Sequence, residues 1–326
     1  MAPMQKNILK YSALVFAGGA SYGVMATTVK FALADGFQWT QVAASQPLFG
    51  TLLFAVALAV LALAGKRPVR LSPRGVLRLL GLGLTTCTTC VLYNFALTKL
   101  SVAVAITLLF QFTWIGVIIQ IVVTRRRPNT AELAAAAIIL GGTLLASGLF
   151  SEEAGAMDPL GVACGLLSDT VGHLDPLGIL CALLSAVSCA TFMFLSARVG
   201  CDLPPIERGL VVCLGACILG FAVCPGYFTS GALQAGIWKY GLVLGAFGLL
   251  IPVVLFGIGT PHLPTGLSTI MASSELPCGI LISVFVLGEP VSTLQAAGVV
   301  VILAGVVVSQ LPNLLPAKTG VPEDAR

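Results

Sequence analysis

Charge is what this sequence has least of. Asp, Glu, Lys and Arg make up 9% of the 326 residues, against roughly 25% in an ordinary soluble domain. Hydrophobic residues reach 57%, and a water-soluble chain of this length cannot hide so much apolar surface, because burial on folding stops well short of complete. The apolar side chains must therefore face lipid. Histidine is almost missing, and both copies, His173 and His262, fall between apolar runs, where neither makes a good catalytic base. The chain has no His-Glu-x-x-His, no clustered His/Asp set and no Gly-x-x-x-x-Gly-Lys-Ser/Thr loop. A metal-dependent enzyme and an ATP-driven pump both lack their equipment, and no cofactor is expected. A net charge of +4 is too small to imply a nucleic-acid partner.

Cysteine, by contrast, is plentiful, with ten residues. Cys87, Cys90, Cys181, Cys189, Cys213, Cys217, Cys224 and Cys278 lie within or at the edge of apolar runs. There cysteine acts as a small hydrophobe that lets helices approach. Cys87-x-x-Cys90 has no second pair and no His at ligand spacing, so no metal site is expected from it.

A bilayer-spanning helix needs about 20 mostly apolar residues. Runs of that size recur at about 11–32, 40–64, 75–97, 101–123, 131–150, 176–198, 206–224, 238–259, 264–287 and 292–312. Backbone groups in lipid must be bonded within their own segment, so helices are the default, and the runs lack the alternation of a membrane barrel. The basic start from Met1 to Lys10 resembles a signal peptide, but the apolar run after it has no convincing cleavage context and is read as a retained first helix.

Charges between the runs set the orientation. Lys6, Lys10, Lys66, Arg67, Arg70, Arg74, Arg78, Arg125, Arg126, Arg127, Arg198, Arg208, Lys318 and Arg326 share one side if both termini lie inside. Lys30, Lys99 and Lys239 fall on the other. Cytoplasmic loops are enriched in Lys/Arg, so both termini are expected in the cytoplasm. The longest connection then lies outside, and it carries Glu152, Glu153, Asp158, Asp169 and Asp175 without a basic residue.

That acidic connection divides the runs into two sets of five. Five is odd, so a repeated unit would be inserted upside down the second time. Sliding the halves by 163 positions aligns 100–142 with 263–305 without a gap, with nine identities. They include Gly116/Gly279, Ile119/Ile282, Thr130/Thr293, Ile139/Ile302 and Gly142/Gly305. Arg125 and Arg126 stand opposite Gly288 and Glu289, which is the charge difference that inversion requires. The expected fold is an all-α membrane protein of ten transmembrane helices. Residues 1–150 form a first five-helix repeat, 151–175 an external acidic linker, 176–312 the second repeat and 313–326 a cytoplasmic tail. Inverted repeats are common in secondary transporters, whose substrate site lies near the midplane between the repeats.

With this pattern the chain resembles the drug/metabolite transporter superfamily in its EamA branch, over about residues 10–312. The aromatic-Gly pair of the first helix appears as Tyr22-Gly23. The Leu-Gly-Glu ending of the ninth appears as Leu287-Gly288-Glu289-Pro290, with Gln295, Gly298 and Gly305 after it. The Glu-Pro feature appears as Glu275-Leu276-Pro277, with one residue interposed. Gln46 replaces an arginine common early in the second helix, which removes one argument for an anionic substrate. Thr124-Arg125-Arg126 replaces the first repeat's Leu-Gly-Glu. The resemblance implies export or exchange of small metabolites, often amino acids, while the high Ala, Gly and Leu content points to a GC-rich bacterial source and so to the inner membrane.

Polarity inside the apolar runs marks the candidate site residues. Glu275 is the clearest, since ionisable groups inside a membrane are costly and usually face a cavity. It reads as a proton or cation relay or a partner for a substrate ammonium, against the plainer role of stiffening its helix. Pro277 removes a helical hydrogen bond nearby, and Ser274 lies beside both. Gln111 and Trp114 share one helix face and could wall an amphipathic ligand or pack on a neighbour. Tyr22, Gln46 and Asn94 are polar groups of the first three helices, each alone an ordinary interhelical hydrogen bond. Pro47 and Pro252 are expected to kink their helices, and Glu289 to cap or hinge the last one. The bilayer and a small-molecule substrate are the expected partners, and a homodimer is left open. A membrane-embedded enzyme or a non-transporting subunit is the competing reading.

Overall fold

The computed structural model describes residues 3–65, 69, 72–100, 105, 108–125, 130–146, 175–282, 285–286 and 293–314. Those residues are helical, with no strand among them. In chain order the first half holds α1 (Pro3–Ala34), α2 (Trp39–Leu63), α3 (Pro73–Leu97), α4 (Phe112–Thr124) and α5 (Thr130–Ala146). The second half holds α6 (Pro176–Ser196), α7 (Pro205–Val223), α8 (Trp238–Gly245), α9 (Ile251–Gly259), α10 (Thr265–Ala272), α11 (Glu275–Ile282) and α12 (Thr293–Leu314). A π-turn, Ala246–Leu250, joins α8 to α9. Glu289, the linker over 151–174, His173, Arg126, Arg127 and the tail beyond 314 lie outside the described residues.

Among the described residues, six helical stretches are long and apolar enough to cross a membrane: 8–34, 39–63, 73–96, 176–196, 205–223 and 238–262. Shorter apolar helices occupy 112–124, 133–145, 267–282 and 296–309. Helix starts carry ordinary caps. Ser72 accepts from Gly75 N–H at 3.1 Å ahead of Pro73, and Asp175 accepts from Leu177 N–H at 2.9 Å ahead of Pro176. Each satisfies a backbone donor that the first helical turn leaves orphaned.

The outer faces are apolar stripes. On α2 they run through Leu52, Val56, Val60 and Leu63, and on α6 through Leu177, Leu180, Leu184 and Val187, all exposed. Such continuous apolar surface is not tolerated in water and is what hydrocarbon covers.

The halves interleave, and their packing partners come in reciprocal pairs. Helix α3 packs on α7 as α2 packs on α8, and α3 lies on α6 as α1 lies on α9. Helix α4 meets α6 as α1 meets α11, while α5 and α12, the matched last helices, pack on each other. The reciprocity reaches single residues. A Cβ at Gly142 would meet Ile302 Cγ1 at 2.8 Å, and one at Gly305 would meet Ile139 Cγ1 at 2.7 Å. Residues 139 and 142 shifted by 163 are 302 and 305. The two inner crossings are also glycine on glycine: Gly83 on Gly215 between α3 and α7, and Gly245 on Gly50 between α8 and α2. Small residues there let backbones touch, the ordinary means of close helix association in a bilayer.

Interruptions of helices match as well. The chain is helical at Leu108 and Leu109, turns at Phe110 and Gln111, and resumes as α4 at Phe112. In the second half α10 ends at Ala272, Ser273 and Ser274 form a turn, and α11 begins at Glu275. Phe112 shifted by 163 is Glu275, so both mid-span breaks fall at one register.

Candidate functional site

The break at Ser273–Ser274 is built from three local choices. Pro277 has no N–H, so the Ser273 carbonyl has no helical partner four residues on. The Ser273 hydroxyl donates back to Thr269 O at 3.1 Å. The Ser274 hydroxyl donates across to Phe16 O of α1 at 2.7 Å, pinning the turn to the first helix. Two glycines of α1 make room. A Cβ at Gly19 would meet Ala272 O at 2.5 Å, and one at Gly23 would meet Gly279 N at 2.6 Å.

Glu275 leaves this turn into the interior of the bundle. Tyr22 of α1, Cys90 and Tyr93 of α3, and Cys189 of α6 lie within electrostatic range of its carboxyl. No described side chain forms a hydrogen bond or ion pair with it. All five residues keep part of their surface accessible, yet they converge on one another from four helices. That surface therefore opens onto a space between helices and not onto lipid. An aromatic wall adjoins it, with Tyr22 and Phe256 rings 5.9 Å apart and Phe192 and Phe256 rings 6.4 Å apart.

Gln46 of α2 joins the same cluster. It is 5% exposed, and the Cys90 thiol donates to its Oε1 at 3.6 Å. Its amide reaches the π-turn, where a Cβ at Gly248 would meet Gln46 Nε2 at 2.7 Å and Met25 Sδ at 2.8 Å. Ile251 N–H bonds to Ala246 O, which frees the Phe247 carbonyl, and the Ser21 hydroxyl donates to that carbonyl at 3.1 Å. Expected kinks thus resolve differently. Pro47 sits inside α2, while Pro252 opens α9 directly after the π-turn, where a missing N–H costs least.

Other expected site residues lie elsewhere. Asn94 is next to Tyr93 on α3 and is half-buried. Trp114 is 38% exposed and donates from Nε1 to Gln111 Oε1 at 2.6 Å. It shares the outward stripe of α4 with Ile118, Ile121 and Val122, so this pair faces away from Glu275. Pro277 is buried at the break. Tyr93, Cys90, Cys189 and Phe256 join the site only in the folded structure. The spacing of Cys90 and Tyr93, three apart on one helix face, is the only sequence signal for them.

Gly19-Ala20-Ser21-Tyr22-Gly23 has the Gly-x-Ser-x-Gly spacing of a hydrolase nucleophile, but its context differs. That chemistry needs a sharp strand-to-helix turn with a nearby base. Here the segment lies inside α1, and the serine donates to Gly18 O and Phe247 O.

The two ends of the bundle differ in charge. At one end Asp35, Gly36, Phe37, Gln41, Ser230, Gly231, Ala232 and Ala235 line an open cavity of about 370 Å³, and Tyr240 donates its hydroxyl to Asp35. There too Lys99 and Asp175 pair at 3.3 Å. The Leu177 N–H, aided by Lys99, holds the Asp175 carboxyl below the usual carboxylate range. At the opposite end Arg208, 2% exposed, donates to Ser196 O at 2.7 Å and Val199 O at 3.1 Å. Arg198 donates to Phe194 O at 3.1 Å. These cations complete the last carbonyls of α6, at the negative end of its dipole.

The profile of the EamA-like transporter family matches residues 9–148 and 176–310. This chain belongs to that family. The EamA family is part of the drug/metabolite transporter superfamily, and the chain is accordingly a multi-pass membrane protein of a transporter family. A protein of Archaeoglobus fulgidus described as an uncharacterized transporter is 32% identical over 91 residues. That match spans 28% of this chain and 33% of the archaeal protein. One solved crystal structure superposes with a TM-score of 0.66 at 18% identity, covering 91% of this chain and 98% of the other. That likeness concerns the fold alone.

Proposed function

We propose that this EamA-family chain is a secondary transporter that exports or exchanges small metabolites such as amino acids. It works by alternating access at a mid-membrane site between two inverted five-helix repeats, giving ten spans, with both termini on the cytoplasmic side of the inner membrane. One observation carries the reading: the Glu275 carboxyl has no partner among the described residues and lies amid side chains of helices from both halves. The reciprocal packing and the matched breaks support the inverted repeat, since rocking of one half against the other is how such folds expose a central site. Tyr22, Gln46, Asn94, Ser274 and Glu275 form the site in this reading. Pro277 shapes it, and Gln111 and Trp114 stand apart from it.

Glu275 is the proton or cation relay. Reconstituted vesicles with an imposed pH gradient and a panel of amino acids and metabolites test this. Glu275→Gln keeps shape but cannot titrate, so it should give a folded protein whose flux is lost or no longer tracks the gradient. Wild-type flux with wild-type pH dependence at matched expression would remove the relay and leave Glu275 as packing. No wild-type flux for any compound would remove the transporter reading itself. Topology is checked by labelling intact cells with an impermeant thiol reagent. A cysteine at Ser230 should react, and one at Arg70 should react only from the inside.

A further inference from the structure

We propose that the central site selects substrates with a net positive charge, namely small apolar amines without a carboxylate, over zwitterionic amino acids. The inference rests on the transporter reading and narrows it. It stands on where the charges lie.

At the centre the only ionisable acid among the described neighbours is Glu275, and the groups around it are phenols, thiols and rings: Tyr22, Tyr93, Cys90, Cys189 and Phe256. None is a cation. An ammonium group entering this space would meet an unpaired carboxyl and aromatic faces, both of which attract cations. A substrate carboxylate would meet like charge in a site of low dielectric, where repulsion is costly.

The serine hydroxyls at the break are engaged, which leaves the Tyr22 and Tyr93 phenols as the neutral donors beside Glu275. Ser274 donates to Phe16 O and Ser273 to Thr269 O. Pro277 removes one N–H from the first turn of α11. Among described cations, Arg208 and Arg198 are committed to carbonyls of α6 and the turn after it at the far end of the bundle.

The 370 Å³ cavity at the other end is lined by Asp35 and by no lysine or arginine. Lys99 beyond it is paired with Asp175. Asp35 is the one charged side chain of that lining, and Lys239 stands exposed beside it near Gly236.

Matched pairs that differ only by a carboxylate provide the test: phenethylamine against phenylalanine, and isoamylamine against leucine. Each is measured on the purified full chain for thermal stabilisation in detergent, and for exchange against the same labelled compound in vesicles. The amines should bind at least about tenfold more tightly than their amino acids, and Glu275→Gln should erase the difference. Amines that bind without exchanging would uphold the selectivity while sinking the transporter reading. Amino acids that bind and exchange as well as the amines would overturn the selectivity and leave the transporter reading standing. Binding of neither member of a pair would also overturn it, as would a preference that persists in Glu275→Gln.

Discussion

Phe110-Gln111-Phe112 and Ser273-Ser274-Glu275 occupy matched places in the two halves, and the backbone does the same thing at both: helix, two-residue turn, helix. The side chains do not. In the first half Phe110 and Phe112 are buried with their rings 5.5 Å apart, and the Thr113 hydroxyl donates to Phe110 O, so the joint is filled with apolar material. In the second half the same joint holds two buried hydroxyls and a carboxyl that looks into the bundle. A break in a membrane helix is therefore a scaffold feature here, present whether or not chemistry sits on it. A carboxyl stands on one copy only.

Pairs of variants can separate the two roles, and the largest effect belongs to the carboxyl. Glu275→Gln should cut flux by more than about tenfold, the worth of roughly 1.4 kcal/mol, while its melting temperature in detergent stays close to wild type. Phe112→Ala should do the reverse. Truncating a buried Phe typically costs about 3–5 kcal/mol, so denaturation should shift strongly, while the surviving folded fraction keeps its pH-coupled flux. If Phe112→Ala uncouples flux from the pH gradient in folded protein, the division of labour between the two breaks is wrong.

A smaller effect tests the symmetry behind the comparison. Gly142→Ala and Gly305→Ala each push a methyl into an isoleucine of the partner helix and should each cost about 1–3 kcal/mol. Unequal losses in unfolding experiments would mean that the α5–α12 contact is reciprocal in outline only. Gly141→Ala, with open space around its Cβ, serves as the neutral control.

The smallest effect lies at the junction between the halves. The Asp175 carboxyl is held low, first by Leu177 N–H and then by Lys99. Its contribution to stability is therefore fully present above the unfolded carboxylate pKa, and is lost as pH falls through the lower folded value. Asp175→Asn should lower the melting temperature slightly at neutral pH and match wild type in acid. A difference that persists in acid would assign the effect to packing and not to charge.

The sequence exposed the scaffold better than the site. Apolar runs separated by basic or acidic turns are a one-dimensional signal, because lipid solvates every spanning segment alike, so helices and the offset of 163 could be read directly. Glu275 was legible for the same reason, since a carboxyl inside an apolar run has few inert explanations. Its surroundings were not. Cys90, Tyr93 and Cys189 look like helix packing until α3 and α6 are brought beside α11, and no spacing rule encodes that meeting. Trp114 shows the opposite failure. An aromatic three residues from a glutamine suits a binding wall, but helix rotation is set by packing neighbours, and the rotation of α4 turns that face outward. The break at Phe110–Gln111 could have been inferred by carrying the Ser273–Glu275 turn back through the offset, although nothing in Phe-Gln-Phe itself signals a turn.

The π-turn at Ala246–Leu250 also takes up a difference in residue count between the two halves. The glycine crossings pair Gly83 with Gly245, a shift of 162, whereas Leu263 to Gly305 pair with the first half at 163. The second half counts one residue more between these points, and a π-turn is how a helix carries one extra residue without rotating its later turns. The π-turn lies between the contact of Gly245 with Gly50 and that of Phe256 with Tyr22, and its Gly248 meets Gln46. The irregularity is confined to five residues, while the counterpart helix of the first half, α3, runs unbroken from Pro73 to Leu97.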